Sequence, residues 1–359
     1  MIDTILYLTT EDLIDLADPE DYVNATRDAY RERGHGAPSN APSALATEDP
    51  NTDLTGYMSM LPEMGYMGYY VYSVGGPERD GWFTCPLWDI KTGKMLAILD
   101  GSYWNPLKTG ASSAVASEVL AREDSESVGI IGTSRVSYGA LQTLAVVRDI
   151  TSVKVYSRKS DNREAFCKTI EKDMGFDATP VDSSDGAVDD VDILVTATVA
   201  SDPVFDGSRL SPGIHVNAMG QSGHERELDI EAICKADKYV PDLRERVFAH
   251  GVQERLRMAG GFLAAYNAGR VGENHIYAEI GDIISGRIPG RTSAEEITIF
   301  DSTGVGVETV ASAAMLYEKA IKEGLGIALP MTSYKNATPG TGIIYIKLPV
   351  GCDVIGESK

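Results

Sequence analysis

Apolar and polar positions follow two different rhythms along this chain. In the first part, YMGYYVYSV, FTCPLWDI and KMLAILD are short apolar runs set between turns, which predicts three strands with a hairpin bend at Thr92-Gly93-Lys94. DPEDYVNATRDAYRERG predicts a helix opening at an acidic cap, with Tyr22, Ala25, Ala29 and Tyr30 on one face. Residues 36–56, rich in Pro, Ser, Asn, Asp and Thr, read as loop, and PLKTGASSAVASEVLARED reads as a helix of small residues.

From residue 127 the rhythm changes. SVGIIG is a buried strand that runs through a glycine turn into the helix of GTSRVSYGALQTLAVVRD. SVKVYSR, DILVTAT, GIHVNAMG, KYVPD and ITIFDSTG continue as short apolar strands, and DNREAFCKTIEKDMG and VETVASAAMLYEKAIKEG as helices. Strands alternating with helices at this spacing predict an α/β fold with a doubly wound parallel sheet of Rossmann type. The tail TGIIYIKLPVG reads as one more strand returning to the first domain. The division expected is a discontinuous substrate and dimerisation domain, residues 1–125 and 310–359, around a dinucleotide-binding domain at 126–309.

A length of 359 residues suits two domains at roughly 150 residues each. The net charge of −21, with no lysine or arginine run, excludes nucleic acid and anionic membranes as expected partners. No apolar run reaches the length of a membrane span, and the first residues carry acids where a signal peptide carries bases, so a cytoplasmic location is expected. Cys85, Cys167, Cys234 and Cys352 are scattered as in a reduced protein. The five histidines form no ligand pair at helical spacing, so no metal site is expected.

The candidate chemistry begins at Gly129-Ile130-Ile131-Gly132-Thr133-Ser134. A strand, a glycine turn and a helix N-terminus make a cradle for a pyrophosphate, although Ser134 stands where a second glycine is usual. At the end of the next strand, Ser157-Arg158-Lys159 replaces the acidic residue that would hold a ribose 2′-OH. Two cations and a hydroxyl suit a 2′-phosphate, which favours NADP(H) over NAD(H); solvated charges at a strand end are the plainer alternative.

These segments, together with LWDIKTGKMLAILDG, LKTGASSAVASEVLA, HVNAMG with EREL, EIGDIISGRIPGR and ITIFDSTGVGVE, resemble the ornithine cyclodeaminase/mu-crystallin family from about residue 55 to 325. The resemblance implies a two-domain, dimeric oxidoreductase of the alanine dehydrogenase and ketimine reductase kind. It places Lys108 and Thr109 near substrate and cofactor, and Gly132, Thr133 and Ser134 at the pyrophosphate. Ser157, Arg158 and Lys159 fall at the 2′ position, and Thr196 and Thr198 at the adenosine side. Asn217, Ala218, Met219 and Gly220 lie beside the nicotinamide, and Ser302, Thr303 and Gly304 in the loop closing over it.

The departures from the family pattern bear on the reaction. A lysine that follows the strand glycine in much of the family aligns with Tyr70, and an arginine that meets the substrate carboxylate has no counterpart in APSALATE. The second such arginine is Lys108, which cannot make a bidentate fork. The cyclodeaminase aspartate aligns with Gln221, so ornithine cyclodeamination is not expected. Tyr70 and Lys108 remain as proton sources, and Gln221 as a hydrogen-bonding group for the substrate. His224, a residue type that titrates near neutrality, follows closely but reads first as an exposed loop histidine. The reading is an NADP-preferring oxidoreductase acting on the C=N or C–N bond of a small imino or amino acid. The alternatives are a non-catalytic cofactor binder of the mu-crystallin type, or a reductase of a substrate lacking a carboxylate.

Overall fold

The protein is described from a computed structural model covering residues 3–40, 43–46, 53–75, 80–220, 227–248 and 260–333. Two seven-stranded sheets dominate it. The first contains β1 (Asp3–Leu8), β2 (Ser43–Ala46), β3 (Asp53–Leu61), β4 (Tyr66–Gly75), β5 (Asp80–Asp89) and β6 (Met95–Asp100). The second contains β7 (Ser127–Ile131), β8 (Ser152–Tyr156), β9 (Asp177–Pro180), β10 (Ile193–Thr196), β11 (His215–Ala218), β12 (Lys238–Pro241) and β13 (Thr298–Asp301). A last strand, β14 (Ile327–Met331), returns to the first sheet and pairs antiparallel with β1.

The first sheet runs β14-β1-β6-β5-β4-β3-β2 and is antiparallel except between β1 and β6. The second runs β12-β13-β11-β10-β7-β8-β9, with every pair parallel. The chain enters it at β7, winds to β9, then crosses back to β10 on the other side of β7. The strand ends of β7 and β10 therefore flank a topological switch point, where open α/β sheets bind ligands. This is the Rossmann-type α/β arrangement expected from the sequence. The loop expected over 36–56 is corrected by strands β2 and β3, which claim Ser43–Ala46 and the residues from Asp53 on. Its polar composition reflects an edge of the sheet, where outward positions meet no helix. The predicted tail strand at 341–351 lies outside the described residues.

Two helices join the sheets. Asn105–Leu120 carries Gly110, Ala111, Ser112, Ser113, Ala114, Ala116 and Ser117, all buried. With small residues on every side it presents no single apolar stripe, as suits a helix enclosed by protein. It packs against Arg135–Val147, the helix that follows the glycine turn. A Cβ at Gly110 would collide with the backbone at Gly139, and one at Gly139 with the carbonyl of Pro106. The seam thus needs two missing side chains. Gly139→Ala should cost roughly 1–3 kcal/mol of stability by overpacking, read from denaturant unfolding; an unchanged midpoint would mean that the seam relaxes freely.

Candidate active site between the two sheets

The cofactor cradle forms at the switch point. Gly132 has φ 106°, and a Cβ there would lie 2.6 Å from the carbonyl oxygen of Ala197, so glycine is required by conformation and by space. Ser134 caps the helix Arg135–Val147: its hydroxyl accepts from Ser137 N at 3.1 Å. Its side chain is therefore turned into the cap, and the residue standing for the second glycine does not fill the turn. Arg158 and Lys159 are exposed beyond β8, and among the described residues no carboxylate pairs with either. A helix N-terminus and a turn that only glycine fits could hold the pyrophosphate of a dinucleotide.

The other side of the cradle is held from within by Glu227. This fully buried carboxylate accepts from Thr196 Oγ1 at 2.7 Å, Thr198 N at 2.6 Å and Gly220 N at 2.9 Å. Burial pushes its pKa up, while these three donors pull it down. The Thr196 hydroxyl is thus engaged inside the fold, and Thr196 shapes the crevice through its backbone. Asn217 is engaged likewise: its amide donates to Ser117 Oγ at 2.9 Å, tying the end of β11 to the bridging helix. His215 beside it is held neutral by burial, its pKa lowered to about 3.

Facing the cradle is the inner surface of the first sheet. Tyr70 is 1% exposed, with Tyr57, Tyr72, Phe83 and Trp104 around it at ring distances of 5.5–6.0 Å. Its hydroxyl reaches Asn105 Oδ1 at 3.2 Å, and burial raises its pKa well above the ordinary value. Alternation sends Tyr69 to the outer face, where it lies across Gly56. Trp82 is also on the outer face and 75% exposed, so it does not contribute to this wall.

Lys108, from the bridging helix, lies beneath the aromatic wall with its Nζ 5.8 Å from the Tyr70 ring centre. It is 2% exposed and donates to Glu308 at 2.9 Å. Burial alone would depress its pKa, but the Glu308 carboxylate outweighs that and the net shift is upward. Glu308 takes two further bonds, from Tyr30 at 2.8 Å and Ser112 at 2.6 Å. It stands in the first turn of the helix Gly306–Glu323, where the helix dipole favours a carboxylate.

The loop Ser302–Gly304 completes the crevice. Asp242, just after β12, accepts from Thr303 Oγ1 and from Gly304 N at 2.7 Å. Burial raises the Asp242 pKa to about 7, against the pull of the nearby Arg246. Asp301 accepts from Tyr239 through one oxygen, and its other oxygen has no hydrogen-bond partner among the described residues. Burial raises its pKa to about 8. Arg246 is 3% exposed and donates to the Gly304 carbonyl.

A sequence profile described as the Ornithine cyclodeaminase/mu-crystallin family matches residues 75–324. The chain belongs to that family. A Delta(1)-pyrroline-2-carboxylate reductase of Bacillus cereus is 38% identical over 239 residues, 66% of this chain and 71% of that protein. The alanine dehydrogenase of Archaeoglobus fulgidus is 33% identical over 327 residues, 89% and 97% of the two chains. The solved Thermococcus litoralis Delta(1)-pyrroline-2-carboxylate reductase, in complex with NADH and L-proline, superposes with a TM-score of 0.84 at 31% identity, covering 90% of this chain and all of that one. These relatives are reductases and dehydrogenases, and this family member is an oxidoreductase of the same kind.

Of the sequence-derived residues, Gly132, Thr133 and Ser134 form the turn after β7, Thr198 and Gly220 follow β10 and β11 and meet at Glu227, Tyr70 lies in β4 above Lys108, and Ser302–Gly304 follow β13. Gln221 and His224 lie outside the described residues. Sequence reasoning missed Glu308, Glu227, Asp242 and Arg246. Among the described residues, no group of three His, Cys, Asp or Glu side chains is placed to hold a metal, and no helix is long and apolar enough to cross a membrane.

The two raised carboxyls set a pH dependence. In the folded protein Asp242 and Asp301 keep protons up to about pH 7 and 8, whereas in the unfolded chain both ionise near pH 4. The folded state therefore binds more protons across that window, and its stability falls as pH rises through it. Asp301→Asn should make the stability profile between pH 5 and 8 shallower, by up to roughly 1.4 kcal/mol per pH unit. An unchanged slope in denaturant titrations would mean that Asp301 ionises as in water.

Proposed function

We propose that this chain reduces the C=N bond of a small 2-imino acid, or oxidises the corresponding amine, with NADPH preferred over NADH. The observation that supports the reading is a turn that requires glycine, opening a helix at the sheet's switch point, packed against the helix that carries the buried Lys108–Glu308 pair. Gly132, Thr133 and the N-terminus of the helix Arg135–Val147 would hold the pyrophosphate, and Arg158 and Lys159 a 2′-phosphate. When bound, the nicotinamide supplies a hydride. The chain's own tasks are then to orient the imine, exclude water and manage one proton. Lys108 Nζ is the better placed group to hold that proton, because Glu308 keeps it charged within the crevice wall. Tyr70 has its hydroxyl engaged with Asn105 and a pKa raised by burial, so its part is to shape the wall. The names of the Bacillus cereus and Thermococcus litoralis relatives point to cyclic imino acids such as Delta(1)-pyrroline-2-carboxylate as first substrates.

One assay tests substrate and coenzyme together. Purified protein is offered Delta(1)-pyrroline-2-carboxylate, and 2-oxo acids with ammonia, each with NADPH and with NADH. Turnover of an imino acid is expected, faster at low coenzyme with NADPH. Neutralising Arg158 and Lys159 together should weaken NADPH binding by about 1–3 kcal/mol and leave NADH nearly unchanged. Equal loss for both coenzymes would overturn the 2′-phosphate assignment, and coenzyme binding without turnover of any imine would overturn the reductase.

We also propose that the working form is a homodimer joined through the outer face of the first sheet. Strand register aligns Leu45, Leu54, Ser73 and Trp82 in one row across β2 to β5. Leu45, Leu54, Met58 and Trp82 are 72%, 47%, 55% and 75% exposed. An apolar row of this extent on a sheet face is a surface for association, and a solved archaeal alanine dehydrogenase of 32% identity is a dimer. Light scattering should give twice the chain mass, and Trp82→Glu with Met58→Glu should shift it toward one chain. A monomeric wild-type protein would refute the dimer.

A further inference from the structure

A 2-imino acid carries a carboxylate into the crevice, and a carboxylate leaving water needs a cation with good geometry. Lys108 is already occupied: Glu308 lies 2.9 Å from its Nζ and holds its charge inside the fold. Arg246 is in a different position. It follows β12 at the ligand-binding edge of the parallel sheet and is 3% exposed. Among the described residues no carboxylate lies in ion-pair contact with it. Among the described residues its hydrogen bond goes to a neutral acceptor, the carbonyl of Gly304, while Asp242, which accepts from Thr303 and Gly304, and Asp301 act on it as nearby charges without ion-pair contact. Its other ionisable neighbours are Tyr57 and Tyr72, on the inner face of the first sheet.

A buried guanidinium that no described carboxylate touches gains from a partner that completes its hydrogen bonds. The planar fork of arginine matches a carboxylate in two parallel bonds. Gly304, which Arg246 touches, belongs to the loop placed by family resemblance at the nicotinamide, so an acid held here would have its 2-carbon close to the reacting end of the crevice. We infer that Arg246 anchors the substrate carboxylate, supplying from the parallel-sheet side the cation that the sequence lacks at the two usual arginine positions. This inference rests on the reductase reading above and adds to it the group that selects acids over neutral imines.

The test compares an acid with its amide. L-Proline and L-prolinamide are titrated calorimetrically into the oxidised-coenzyme complex of the wild type, Arg246→Gln and Arg246→Lys, alongside the KM for Delta(1)-pyrroline-2-carboxylate. Arg246→Gln should weaken L-proline by about 30-fold or more and raise KM in parallel. L-Prolinamide binding should fall far less than L-proline binding. Arg246→Lys, which keeps the charge but not the fork, should fall between and serves if the glutamine variant does not fold. L-Proline binding within threefold of wild type in the variants would overturn the anchor, and so would equal loss of acid and amide, the mark of a structural residue. Should the wild type bind neither ligand and reduce no imino acid, the reductase reading falls and takes the anchor with it. That result is distinct from one in which L-proline binds and Arg246 is indifferent.

Discussion

The ion pair between Lys108 and Glu308 is the interaction on which the arrangement of the crevice depends. Each residue comes from a helix that connects the two sheets, and each is almost fully buried. Two charges removed from water cost several kcal/mol each unless the remaining donors and acceptors are met. The carboxylate is met by Tyr30 and Ser112 as well as by Lys108, and the Tyr70 ring lies over the ammonium side. The pair therefore fixes the start of the helix Gly306–Glu323 relative to the bridging helix. The loop Ser302–Gly304 runs directly into that start, so its position is fixed with it.

The parallel half of the fold was legible because most of its strands are short, largely apolar and separated by helices. Gly132 could be singled out because a positive φ and a close carbonyl exclude every other residue. The residues that escaped notice share a different physical origin. Glu227, Asp242, Arg246 and Glu308 are charged, and a charged residue in a sequence reads as solvated until its partners are known. Each is buried with partners that the linear sequence does not reveal: Thr196 and Thr198 donate to Glu227, Tyr30 and Lys108 to Glu308, Thr303 to Asp242, and Arg246 donates to the Gly304 carbonyl. The strands β2 and β3 were obscured for a related reason. They alternate inward Thr55, Tyr57 and Ser59 with outward Leu54, Met58 and Met60, so neither face carries the pure signature that a single chain displays.

The aromatic run shows how far period alone can go. Alternation separates Tyr69 from Tyr70 and Tyr72, and the two faces have different fates in the structure. Tyr70 and Tyr72 enclose the space above Lys108, and Tyr69 packs over Gly56 on the outside. What alternation leaves open is whether the inward tyrosines act as acids or as walls. Burial answers for Tyr70: a phenol deprived of water, with its hydroxyl turned to Asn105, holds its proton more tightly and gives the crevice its apolar lining.

The same logic explains how a crevice can keep its outline while its charges change elements. A lysine in place of a fork-shaped arginine loses bidentate contact with a carboxylate, yet it can enter a buried pair that an exposed arginine would not need. Once Glu308 takes that lysine, positive charge toward a bound acid must come from elsewhere along the rim. Arg246 meets this demand from the end of β12, where Asp242 lies near it without ion-pair contact and accepts from the closing loop. The loop at Ser302–Gly304 is thus the point where cofactor geometry and substrate charge are coupled, since one carboxyl holds its backbone and one guanidinium touches its carbonyl.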